Sequence, residues 1–412
     1  MVFECQRDSF KTEFDTKVVS CKPAELETLS DGKKEKLKGY EVIVEDTVLF
    51  PEGGGQPDDR GTMNGIDVLR ITRQGADAIH FVQTPLDVGT EVHQVVDWKR
   101  RFDNMQQHTG QHLVTAIADN MYGYKTTSWA FGQEKCSIEL DTPKMTDEQV
   151  AIIEDAANEA IRKCTPVIPK CYEADDKELD GIRGRGLPDD HVGLVRVITI
   201  EGIDSNMCCG THVYNLSQLQ VIKILGVEKG KKNKTNLIYL TGNRVLNYLG
   251  KCYNTEKALC TALKCSPEQH VDMANKLQKN IREALKSKTS LLREVAKYEA
   301  EQYKNKTDRE EILSIHRKDG DNEYMNIIAN EIGQENGVIF ASVGNDKGAG
   351  LFLLSGPADL ISEAGPKIAE ILDGKGAGKN GRYQGKANNL KKRKDAEALL
   401  RSSLQKNKSE KE

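Results

Sequence analysis

From the N-terminus to about residue 95, apolar residues come in short runs separated by Gly, Asp and Pro: KVVSC, GYEVIVEDTVLF, IDVLRITRQ and AIHFVQT. β-Branched residues are frequent in these runs. Runs this short, at this spacing, predict the strands of a small barrel or sandwich. The period then changes. In WKRRFDNMQQHTGQHLVTAIADNMYG, Met105, Leu113, Ile117 and Met121 recur at helical spacing. This predicts a helix from about Arg100 to Tyr122, with Gly123 as its cap. CSIELD alternates as a strand. TDEQVAIIEDAANEAIRKC predicts an amphipathic helix with Thr146 as N-cap and Glu148 or Gln149 behind it. VRVITIEG and LQVIKILGVEK predict strands, and NLIYLTGNRVLNYL reads as strand, turn and helix.

Residues 251–310 read as a long helix. Ser266 and Pro267 fit its N-cap and first position. Leu277, Ile281, Ala284, Leu291, Val295 and Tyr298 then follow a 4-3 alternation, interrupted by Lys288. That seam suits a helical hairpin or spacer packed on itself, or a coiled coil between chains. After a strand–helix pattern, GVIFASVGN and AGLFLLSGP predict paired strands. A helix, a Gly-rich basic loop and a final helix complete the chain. The expected fold class is α+β. It comprises a small β-barrel with a Gly-rich loop over 1–95 and a central α/β domain over 96–250. A helical spacer over 251–310 leads to a Gly-rich α/β domain over 311–412.

The 412 residues allow two or three domains. Lys and Arg number 59 against 63 Asp and Glu, a formal charge of −4. No global field for nucleic acid exists, so any polyanion site must be a local patch. Mean hydropathy is −0.57, and no apolar run approaches the roughly 18 residues of a membrane span. The N-terminus lacks the apolar core of a signal peptide. The 10 cysteines are scattered. Reduced thiols and a cytosolic location are therefore expected, and a Cys/His cluster points to a metal before a disulfide.

Two segments form such a cluster. HTGQH places His108 and His112 four residues apart on the predicted helix, one turn from each other on one face. Histidines at this spacing are commonly just core or surface residues. MCCGTH, directly after a predicted strand, repeats the spacing with Cys208 and His212. Three of the eight histidines fall in these two segments. Mixed imidazole and thiolate donors in tetrahedral number favour one Zn²⁺ per chain. Four protein ligands also fit a closed structural site, whereas catalytic zinc keeps an open position. HTGQH has no Glu after the first His, so it is not the zinc-protease motif; it also lacks the deaminase H-x-E. No G-x-S-x-G elbow or Walker A sequence is present.

FPEGGGQPDDRG, RRFDNMQQHTGQHL and MCCGTHV, in this order, resemble the motifs of alanyl-tRNA editing proteins of the AlaX type and of the alanyl-tRNA synthetase editing domain. The C-terminal third, with GNDKGAGLFLLSG and DGKGAGKNGRYQGKA, resembles the Gly-rich domain that follows the editing domain. The resemblance covers almost the whole chain. It implies trans-editing: hydrolysis of the ester of mischarged tRNA(Ala), chiefly seryl-tRNA(Ala). A pocket shaped for alanine rejects an added hydroxyl weakly, so a second hydrolytic site is needed. It implies His108, His112, Cys208 and His212 as zinc ligands, with His108 in the catalytic set. It places the loop containing Gln56 near the site and has Thr47 bond the serine hydroxyl. The family form is Cys-Gly-Gly-Thr-His; here Cys209 replaces the first glycine, and Cys208, which keeps the spacing, is the expected ligand, with Cys209 as its competitor.

For nucleic-acid contact, EKGKKNKTN offers Lys231, Lys232 and Lys234, and the C-terminal Gly-rich stretch offers Lys379 and Arg382. Both stretches also suit solvated faces. Arg100 and Arg101 open the His108 helix and are expected either to bind terminal phosphates or to face solvent. The alternative to a deacylase is a non-catalytic tRNA-binding protein with a structural zinc. A synthetase is disfavoured, because no ATP-binding motif and no room for a catalytic domain are expected. The chain is expected to be a monomer or a homodimer through its helical spacer.

Overall fold

The N-terminal runs close into a barrel. Its strands are β1 (Glu13–Ser30), β2 (Lys33–Val44), β3 (Gly61–Met63), β4 (Ile66–Gln74), β5 (Asp77–Val82) and β6 (Glu91–Val96), in the order β1-β2-β5-β4-β3-β6. Val18, Val42, Met63, Val68, Ile71, Val82 and Val92 fill the interior. A single turn, α1 (Glu4–Arg7), precedes the barrel. The computed structural model describes residues 2–30, 33–184, 193–345 and 348–409. It forms two compact units, Met1–Lys257 and Ala258–Glu412.

In the first unit the chain leaves the barrel into α2 (Trp98–Tyr122). The Asp97 side chain caps its start by accepting from Arg100 N, and Gly123, at φ 68°, closes it in the left-handed region. Most of α2 from Arg101 to Ala118 is buried, so this helix is no surface amphipath. It packs on β7 (Thr126–Phe131), β8 (Cys136–Leu140) and α3 (Asp147–Arg162). Thr146 and Gln149 make a reciprocal cap on α3. Strands β9 (Val167–Tyr172), β10 (Val195–Ile200) and β11 (Asp204–Met207) form one antiparallel sheet. β12 (Ile222–Lys229) and β13 (Thr235–Thr241) join β8 and β7 in another. Gln107 fixes α2 against that sheet: its amide donates to Thr241 O at 3.0 Å and accepts from Thr241 N at 3.2 Å. α4 (Asn243–Leu263) follows β13.

The second unit contains α5 (His270–Lys304) and a sheet of β14 (Ile312–Arg317), β15 (Val338–Gly344), β16 (Gly350–Ser355), β17 (Lys375–Lys379) and β18 (Arg382–Ala387), ordered β14-β15-β16-β18-β17. Its further helices are α6 (Asn322–Ile332), α7 (Ala358–Ile371) and α8 (Arg393–Ser409). Alternate residues of β15 face opposite layers. Ile339, Ala341 and Val343 pack with α5 and α6, whereas Val338 and Phe340 pack with α7 and α8.

Three expectations change here. Ser266–Pro267 opens a 3₁₀ turn, and α5 begins only at His270. The 4-3 seam of α5 does not pack on itself: Leu277, Ile281, Leu291 and Tyr298 are exposed. The buried face is Leu292, Ala296, Ala300 and Tyr303, because α6 docks there. The Gly-rich basic stretch is a hairpin rather than a loop. Asn380 and Gly381 both have positive φ, the geometry of a two-residue hairpin turn. Asp346 and Lys347 of the preceding Gly-rich motif lie outside the described residues.

Candidate metal centre

His108 and His112 lie one turn apart on the buried length of α2, and Cys208 and His212 lie on the loop after β11. The ligating atoms of all four lie within 4.8 Å of one another. Cys208 Sγ is 3.4 Å from His108 Nε2 and 3.3 Å from His212 Nε2. A tetrahedral zinc with ordinary Zn–S and Zn–N bonds sets such edges at roughly 3.5 Å. The donor set and its spacing therefore fit zinc.

The second nitrogens explain why the Nε2 atoms are left for a metal. His108 Nδ1 donates to Gln56 Oε1 at 2.8 Å, and His212 Nδ1 pairs with Thr109 Oγ1 at 3.1 Å. Partners of this kind fix tautomer and ring orientation. Gln56 is itself held, donating to Thr211 Oγ1 at 2.8 Å and accepting from Thr211 N at 2.9 Å. It belongs to a tight turn, Gly53–Gln56, in which Gly54 and Gly55 have φ of 59° and 83°. A side chain at Gly55 would meet Trp129 at 2.5 Å. Replacing Gln56 with Leu is expected to weaken zinc about 10- to 100-fold in a chelator competition, with Gln56→Glu recovering part of it.

The cysteine loop is fixed from three sides. Arg196, on β10 and 6% exposed, donates through Nη1 to Gly210 O at 2.6 Å and Cys208 O at 3.1 Å. Gln6 Nε2 donates to Cys209 O at 2.7 Å. Gly210 N donates to Cys208 Sγ at 3.4 Å. Gly210 must be glycine: a Cβ there would lie 2.2 Å from the His108 ring and 2.8 Å from Gln56 Oε1. Cys209 has no such constraint and no positive φ. Its Sγ faces Gly53 and Gly54, and it is not part of the four-residue cluster.

Burial keeps these imidazoles neutral. Desolvation pushes His112 down to about 3 and holds His108 and His212 well below the ordinary histidine value. The same burial, with Cys209 next to it, raises the Cys208 thiol to about 12. A bound cation reverses that, since a coordinating thiol is deprotonated outright. A cavity of about 600 Å³ opens beside the centre, lined by His112, Cys208, Arg196, Gln111, Trp129 and the Gly53–Gly55 turn, among others.

Several expected site residues lie elsewhere. Thr47 is 1% exposed inside the barrel. Its Oγ1 donates to Gln94 Oε1 at 3.0 Å and pairs with His80 Nε2 at 2.9 Å. It is not among the residues that line the cavity. Arg101 neither faces solvent nor reaches phosphate. It is fully buried, donating to Asp59 Oδ2 at 2.8 Å, Ser9 O at 3.0 Å and Val48 O at 2.5 Å. Arg100, half-buried, donates to Asp58 O at 2.9 Å. Lys231 and Lys232 are exposed in the β12–β13 turn, while Lys234 pairs with Glu139 at 3.1 Å. Lys379 is exposed, and Arg382 donates to Asn330. Gln6, Thr109 and Arg196 escape sequence reasoning. Only Arg196 leaves a signal, as the one charge within the apolar run VRVITI.

Residues 195–240 match the family described as the threonyl and alanyl tRNA synthetase second additional domain. The chain is 58% identical to the alanyl-tRNA editing protein Aarsd1 of Danio rerio, over 97% of each chain. Identity is 57% to the Rattus norvegicus protein of that name, again over 97% of each. It is 29% to the putative alanyl-tRNA editing protein alaX of Saccharomyces cerevisiae, over 94% of this chain and 93% of that one.

Proposed function

The chain belongs to the alanyl-tRNA editing proteins, and on that premise we propose that it deacylates mischarged tRNA(Ala), chiefly seryl-tRNA(Ala), with one zinc per chain. The observation that carries this reading is the convergence of His108, His112, Cys208 and His212 beside a cavity large enough for an aminoacyl-adenosine end. Bound there, zinc polarises the ester carbonyl or a water. The chain supplies the rest. Gln56 and Thr109 hold two imidazoles with Nε2 inward. Arg196 fixes the cysteine loop and adds a buried positive charge next to the ester site. Lys231, Lys232 and Lys379, all exposed, are the proposed phosphate contacts.

The four-part division at 95, 250 and 310 is retained as a functional proposal: barrel, editing domain, spacer and tRNA-binding-like domain. No helix among the described residues is long and apolar enough to cross a membrane. The proposed compartment is the cytosol, supported by 10 cysteines that are all free. Of the two oligomeric states, the exposed seam of α5 supports a homodimer.

The test is direct. Purified protein with labelled seryl-tRNA(Ala) is expected to release serine well above buffer, and chelation to abolish release. No hydrolysis by zinc-loaded protein that still binds tRNA would establish the other reading, a tRNA-binding protein with structural zinc. Four protein ligands give that reading its support.

A further inference from the structure

The cavity beside the metal centre holds one aromatic ring that neither binds the metal nor supports a ligand. Among the described residues that line it, only His112 and Trp129 are aromatic, and His112 belongs to the metal centre. Trp129 lies on β7, the edge strand of the β12-β13-β8-β7 sheet. β7 pairs with β8 in regular register from Ser128 to Phe131, so Trp129 and Phe131 point to the same face. Phe131 meets the metal centre directly: its ring centroid lies 5.3 Å from that of His108, edge to face. Trp129 is thus two residues, about 7 Å, along the strand from a ring that touches a ligand. The Gly-rich turn fixes its position. A Cβ on Gly55 would come within 2.5 Å of indole Nε1 and 2.9 Å of Cε2, so only glycine lets that edge of the indole approach the turn. The indole is still only half-buried, whereas the three imidazoles of the centre are buried.

We infer that Trp129 is the base-stacking platform of this site: its indole receives the face of the terminal adenine of a tRNA 3′ end while the ester lies over the metal centre. The inference rests on the reading that the cavity takes an aminoacyl-tRNA end, and adds what holds that end. The 3′ end is single-stranded, so its last base is free to be splayed out. Proteins hold such bases on aromatic side chains, and tryptophan offers the largest π-surface. Charge around the cavity suits the adjoining phosphates. Four cations line it, Arg73, Lys125, Arg183 and Arg196, against one carboxylate, Asp119. Stacking reads neither the amino acid nor the tRNA body. It therefore sets how tightly any acylated end is held, not which ester is cleaved faster.

Two experiments on the full zinc-loaded chain test this. With seryl-tRNA(Ala), Trp129→Leu is expected to raise KM about 5- to 150-fold with kcat within about twofold. Trp129→Phe, which keeps a π-face, is expected to recover most of that loss. Zinc content is measured for each variant. An unchanged KM at one zinc per chain, or equal losses in the two variants, overturns the assignment. Should Trp129→Leu fail to fold or lose its zinc, the second experiment decides, since it changes nothing at Trp129. Trp98 and Trp129 are the only tryptophans, and Trp98 packs against Phe10 and Phe102. In Trp98→Phe protein the emission of Trp129 is expected to be quenched by uncharged tRNA(Ala), and much less by the same tRNA lacking its terminal adenosine. No quenching, or equal quenching by both, overturns the assignment; a purely structural indole gives one of those two results. Wild-type protein that hydrolyses no ester, with adenosine-dependent quenching intact, defeats the deacylase reading and leaves the stack standing.

Discussion

Cys208→Ala protein is expected to purify with little zinc and to lose at least about 100-fold in seryl-tRNA(Ala) hydrolysis. Cys209→Gly is expected to retain one zinc per chain and most of its activity. Spacing favours Cys208, four residues before His212, with Cys209 as its competitor. Geometry separates them: Cys208 Sγ lies within 3.4 Å of two Nε2 atoms, whereas Cys209 Sγ turns toward the Gly53–Gly54 backbone. Metal analysis of the two purified variants decides the matter. Zinc retained in Cys208→Ala and lost in Cys209→Gly would reverse the assignment. Thiol alkylation adds a check: the expected protection by zinc is at Cys208.

The second large effect is on stability. Arg101 joins α2 to the barrel through Asp59, Ser9 and Val48, and neither partner of its ion pair is exposed. Arg101→Met leaves the Asp59 carboxylate buried beside an apolar side chain. Breaking a buried pair this way costs about 3–5 kcal/mol, and roughly 10 °C in Tm for a unit of this size. Adding Asp59→Leu is expected to recover most of that loss, since replacing both partners removes the uncompensated charge. Thermal unfolding of the single and double variants measures it. An unchanged Tm together with weakened tRNA binding would instead restore Arg101 to the phosphate surface.

That pair also shows where sequence reading stopped. The four-residue cluster is legible because an i, i+4 spacing on a helix puts two imidazoles on one face, and because Cys208 and His212 repeat that spacing on a loop. Arg100 and Arg101 look alike in sequence. Only Asp59, 42 residues upstream, decides which one is buried. The partners of Thr47, His80 and Gln94, come from barrel strands whose register the sequence does not print. The seam of α5 is a true periodicity, but the face that is buried lies beside it. Small residues Ala296 and Ala300 form the face that α6 approaches, and small residues weigh little in an apolar pattern. Asn380–Gly381 has the sequence of a hairpin turn, but the surrounding glycines read equally as a loop.

The two halves of the metal centre are 100 residues apart in the chain. A ribosome makes them in order. At about 5–20 residues per second, the histidine pair of α2 emerges roughly 5–20 seconds before Cys208. During that interval the nascent chain presents an incomplete two-imidazole site, without the thiolate that helps discriminate among soft metals. Cys208 brings that thiolate, and His212, four residues later, is the last of the four to be made. The four-donor set is complete only once His212 has been made.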